Sequence, residues 1–96
     1  MPALPAGLEH YRVVGPFTEA TTPAGLLRRH TLKPRVWGRI VVLEGQLLYV
    51  IEREPPLSFV LRPGEPGIVK PEEAHHIAPK GSVRFQVELF RPRPTP

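Results

Sequence analysis

No cysteine occurs among the 96 residues, and no asparagine or aspartate either. Without cysteine there is no disulfide framework, no thiolate nucleophile and no zinc site built on sulfur. Any metal must therefore be held by histidine, glutamate or backbone oxygen. Long apolar runs are missing too. The longest, Ile40 to Ile51, is broken by Glu44, Gly45 and Gln46, so no segment approaches the roughly 20 apolar residues that cross a bilayer. The start of the chain, MPALPAGLEHYR, lacks the basic flank and continuous apolar stretch of a secretory signal. The expectation is a cytoplasmic protein without a membrane partner.

What is present fits one small domain. Ninety-six residues, 41% hydrophobic and 23% charged, can build a single core and little more. Fourteen prolines and only two glutamines, with the missing asparagine and aspartate, give a thermophile-like composition in which loops are stiffened and labile side chains removed. The net charge of +4 raises the question of a nucleic-acid partner. The basic residues are scattered, however, with Arg28/Arg29 and Arg91/Arg93 the densest pairs, and aromatic residues do not interleave with them as on single-strand binding surfaces. A solvated basic surface is the better reading, and no nucleic-acid partner is expected.

Alternation and short apolar runs bounded by Gly and Pro occur throughout, and no dozen residues carry a clean 3.6-residue repeat. The chain is therefore read as all-β. Strands are expected at Glu9–Val14, Gly25–Leu32, Trp37–Leu43, Gln46–Glu52, Leu57–Leu61, Gly67–Val69, His75–Ala78 and Val83–Phe90. So many strands in so short a chain imply a closed or double-layered sheet. Glu44-Gly45 is placed in a tight hairpin, and Arg62-Pro63-Gly64-Glu65 in a turn. Residues 1–90 are assigned to the barrel, and residues 91–96, alternating in proline, to a loose extended tail.

Histidine and glutamate are the only remaining metal ligands and general bases. His75 and His76 are adjacent on an expected strand, so they face opposite sides and only one points inward. Taken alone, His30 and His75 fit ordinary hydrogen-bonded histidines as readily as ligands, since no HxxxH or HxH pattern supports them. Glu88 by alternation can face solvent, and Trp37 can be core or the lining of a pocket mouth.

Four segments carry a resemblance: PAGLLRRH at Pro23–His30, WGRIVVLEG at Trp37–Gly45, GIVKPEEAHHI at Gly67–Ile77 and FQVELFR at Phe85–Arg91. Their order and spacing resemble the tellurite-resistance TehB N-terminal domain and YeaR-like family over nearly the whole chain. The resemblance implies a small cupin-like double-stranded β-helix, a jelly-roll barrel, linked by name to resistance against tellurium oxyanions. Against the broader cupin pattern, Gly64–Lys70 followed by His75 resembles the second motif, which puts His75 in a metal-ligand position. The first motif departs from that pattern, because its HxH is absent and Arg39 stands where a glutamate is usual.

The resemblance thus implies a small-molecule, oxyanion or metal binding domain with a site around His30, Arg39, His75 and Trp37. Its metal version uses His30, His75 and Glu88 for one divalent transition ion, zinc, nickel or iron(II). Arg39 would repel a cation placed close to it and instead suits an oxyanion or carboxylate, unless it forms a structural ion pair with Glu88. A metal-dependent cupin enzyme with this nonstandard His/Glu site is the first alternative. A nucleic-acid-binding β-barrel is the last. Exposed edge strands make a homodimer a further expectation.

Overall fold

The computed structural model describes residues 3–94. Five strands form one antiparallel sheet: β1 (Leu8–Thr18), β2 (Trp37–Ile51), β3 (Leu57–Leu61), β4 (Gly67–Val69) and β5 (His75–Pro92). Their order is β1-β5-β2-β3, with β4 paired to the first part of β2. No helix among the described residues is long and apolar enough to cross a membrane. The all-β, single-domain reading holds, with fewer and longer strands than expected.

The two long strands explain the difference. No hairpin forms at Glu44-Gly45, because β2 runs straight through it and pairs with β5 from Trp37↔Phe90 to Ile51↔His75. The register shifts twice near Gly45, whose φ is +80°. A Cβ there would run into the Ser82 carbonyl oxygen, so this bulge demands glycine. Glu19 pins the facing bend by accepting the Val83 N–H at 2.9 Å, a bond that also lowers the Glu19 pKa.

The bulge changes the phase of the alternation. Gly38, Ile40 and Val42 are buried before it, and Leu47, Tyr49 and Ile51 after it. One extra residue thereby keeps a single face of β2 toward the interior along its whole length. The first part of β2 pairs with β4 and the second with β3. Residues of both parts nevertheless join one core cluster with Leu61, Val69, Ile77, Val83 and Phe85, so the sheet folds over on itself. Tyr49 spans that core and donates its hydroxyl to the Ile68 carbonyl at 3.0 Å. Burial, and secondarily the charge of Glu73, raises its pKa, and the phenol stays a neutral donor.

Two further expectations change. Gly25–Leu32 is not a strand: Ala24–Leu27 forms a 3-10 turn behind Pro23, and the only bridge in this stretch is His30↔His75. Proline fixes its φ near the value such a turn needs, while only Leu26 and Leu32 turn toward the core. At the other end the expected tail is partly ordered. Arg91 and Pro92 extend β5 opposite Glu9 and Leu8, and the Arg93 N–H bonds the Gly7 carbonyl at 3.0 Å. Thr95 and Pro96 lie outside the described residues.

Candidate functional site

The expected site residues separate onto two faces. His30 and His75 meet inside. Their backbones exchange N–H···O bonds of 2.8 and 2.9 Å, which places both side chains on one side of the local pairing. The rings stand edge to face with centroids 5.4 Å apart. His75 is 5% exposed and is the inward member of the His75-His76 pair, as alternation demands. Its Nδ1 lies 2.9 Å from the Glu73 carbonyl oxygen. A carbonyl only accepts, so Nδ1 carries the proton and Nε2 of the neutral ring keeps its lone pair. Burial chiefly lowers the His75 pKa, the Glu73 carbonyl opposes the shift and His30 adds to it. The ring is neutral and ready to donate electrons at ordinary pH.

Both imidazoles line a narrow cavity of about 30 Å³ with Leu26, Leu32, Ile40, Val69, Ile77 and Val87. A groove of about 240 Å³ shares Leu26, His30, Leu32 and Val87 with it and is closed elsewhere by Val14, Phe17, Pro23 and Leu89. Apolar walls with two convergent polar groups, one of them perturbed, are the usual makings of a small-ligand pocket. Glu73 and Tyr49 complete the surroundings. The Tyr49 ring packs edge to face on His75 at 5.8 Å, and Glu73 Oε1 is buried with no hydrogen-bond partner. Neither residue figures in the sequence reading. Glu73 acts on His75 through a backbone carbonyl, a group every residue carries, and Tyr49 sits in an apolar run where it reads as core.

Arg39 and Glu88 lie on the other face. They are direct partners in the β2–β5 register, one step from the inward Ile40 and Val87. Arg39 Nε donates to Glu88 Oε1 at 2.6 Å, and the guanidinium sits 5.1 Å above the Phe90 ring. Arg39 and Glu88 thus form the structural ion pair that is one of the two expectations for them. It removes Glu88 from the histidines, and among the described residues no group of three or more His, Asp or Glu is placed to hold a metal. Trp37 is half-buried beside Phe90 in the same register and lines neither the histidine cavity, nor the groove beside it, nor the outer cavity bordered by Arg39. Arg39 and Glu88 instead border an outer cavity of about 290 Å³ with Arg62, Gly64, Pro66, Val41 and Val42. His76, on the outer face, bonds Glu52 at 2.8 Å.

Comparison with known proteins agrees with this architecture. A protein of Escherichia coli strain K12 superposes with a TM-score of 0.86 at 23% identity, covering 98% of this chain and 100% of that one. TehB from Haemophilus influenzae gives 0.82 at 18% identity, over 91% of this chain and 32% of that one. The chain thus spans about a third of TehB, and at these identities the likeness is one of fold. No curated protein matches. The model of the TehB-like domain matches residues 12–87, most of the chain, and this protein belongs to the TehB-like domain family.

Proposed function

We propose that this chain is a binding module of cupin-like type whose site is the interior His30/His75 pocket. The ligand is one divalent transition ion held by the two imidazoles, with its open positions left to water or a small anion. The supporting observation is the geometry of the pair. At a metal–nitrogen distance of about 2.0 Å and a tetrahedral angle, two imidazole centroids stand about 5 Å apart, close to the 5.4 Å found. The Glu73 carbonyl adds the outer contact that fixes a ligating histidine's tautomer.

Two protein donors make a weaker site than three, and no nucleophile and no base beyond the two imidazoles lines the pocket. The site is therefore one for binding rather than catalysis. The association of the TehB-like family with tellurite resistance fits a module that captures a small inorganic species.

Calorimetric titration of tag-free protein with zinc, nickel and iron(II) tests it. The expected result is one ion per chain, abolished in His75→Ala with the far-UV spectrum retained and unchanged in Glu88→Gln. Uptake of none of the three ions, or equal uptake by His75→Ala, would overturn it.

A further inference from the structure

The outer cavity is built from elements that the His30/His75 pocket does not use. Strand β3 ends at Leu61, and the chain turns over Arg62–Pro66 before β4 brings Ile68 opposite Arg39. The turn is closed by the Glu65 N–H on the Arg62 carbonyl at 2.9 Å, with Gly64 at φ +83°. This connection suspends Arg62 beside Arg39, and both guanidinium groups border one space of about 290 Å³.

Their states differ in a useful way. Arg39 uses only Nε on Glu88. Its two Nη groups have no hydrogen-bond partner among the described residues, and Phe90 beneath holds the plane of the fork. Arg62 touches Glu65 at 3.4 Å, with both side chains more than half exposed. Such a pair contributes little and exchanges readily. With Glu88 counted, the cavity wall carries one net positive charge when Arg62 leaves Glu65. It offers one preoriented fork and one swinging cation, an arrangement suited to two oxygens of the same group.

We propose that this outer cavity is a second binding site, independent of the His30/His75 pocket, for a small oxyanion group such as a carboxylate or phosphate. Arg39 supplies the fixed fork, and Arg62 closes on the anion by leaving Glu65. Gly64 gives the turn its left-handed bend, and a side chain added there would meet nothing within 4 Å, so the approach is open.

The test is a ¹⁵N chemical-shift titration with inorganic phosphate, and separately with acetate, at constant ionic strength. Saturable shifts centred on residues 62–66 are expected, with the His30 and His75 amides unmoved. Each charged hydrogen bond is worth about a tenfold change in affinity. Arg62→Gln should therefore weaken phosphate binding about tenfold, and the exposed control Arg53→Gln less than about twofold. Arg39→Lys keeps the charge and loses the fork, and should also weaken binding about tenfold. Acetate binding without phosphate, or the reverse, would still support the site and select the oxyanion. Non-saturable shifts with both anions, equal losses in Arg62→Gln and Arg53→Gln, or full affinity in Arg39→Lys would overturn it. His75→Ala should leave the titration unchanged, which separates failure here from failure of the metal reading.

Discussion

Arg39 and Ile40 are neighbours in the chain, yet the Arg39 side chain is 38% exposed against a carboxylate while Ile40 is 3% exposed among aliphatics and lines the histidine cavity. The pleat makes this division. On the inner face, the polar groups include the neutral His75 imidazole tied to the Glu73 carbonyl and the Tyr49 hydroxyl on the Ile68 carbonyl, because an unpaired charge there is severely destabilising. On the outer face, charges stand against solvent and can exchange partners. Substitutions of the apolar inner residues should consequently register as stability, and outer ones chiefly as ligand affinity.

The sharpest way to break this contrast is Phe85→Ala. Phe85 is fully buried and packs against Phe17 at 5.6 Å between ring centroids. Its truncation should lower unfolding stability by about 3–5 kcal/mol in urea denaturation. A loss below about 1 kcal/mol would mean that the folded-over sheet does not share one core. Next comes Gly67→Ala. A Cβ at this position would lie 2.8 Å from a Leu61 methyl and 3.0 Å from the Tyr49 ring, atoms that cannot move freely in a packed interior. Overpacking should cost about 1–3 kcal/mol and should loosen the Tyr49–Ile68 bond, visible as faster amide exchange in β4.

His75 sharpens the comparison through pH. Its folded pKa is depressed, mainly by burial, with His30, Glu73 and Glu52 the charged groups acting on it. The unfolded chain therefore binds this proton first. The stability associated with a neutral His75 is fully present above its unfolded pKa of about 6.5 and is lost as pH falls through the folded value. Metal-free protein should thus melt at lower temperature as pH drops below about 6.5, and His75→Gln should flatten that slope. An equal slope in the variant would locate the titration elsewhere.

The outer face is the less legible of the two in sequence, since Arg39 and Glu88 are the site residues that the structure places there. The strands β3 and β4 match their expected spans because Pro and Gly bracket them on both sides. The bulge at Gly45 is not legible because Glu-Gly between apolar runs is equally a hairpin signal, and only the pairing with Val83 and the adjacent Ser82 carbonyl tells them apart. His30 and His75 belong together as expected, but through a lone backbone bridge and not a strand. The resemblance places Arg39 and Glu88 at the inner site, and alternation does not correct it, because β2 and β5 carry apolar residues on both faces, Val41 and Phe90 as well as Ile40 and Val87. Alternation then has no polar phase from which to choose the inner side.

The smallest expected effects lie on the outer face, where two ion pairs of similar appearance should behave differently. Glu88 is 16% exposed and holds Arg39 at 2.6 Å, whereas Glu65 is 62% exposed and holds Arg62 at 3.4 Å. Removing the charge with Glu88→Gln should cost about 0.5–1 kcal/mol, since the partner is still over a third exposed and screened. Glu65→Gln should cost less than about 0.3 kcal/mol, because a long, exposed pair gains little over its hydrated parts. Both values come from matched urea titrations repeated at low and high salt. A salt-dependent loss for Glu88→Gln and none for Glu65→Gln is expected. The reverse ranking would show that the turn over Arg39 is held by Arg62–Glu65, and that Arg62 is not free to swing.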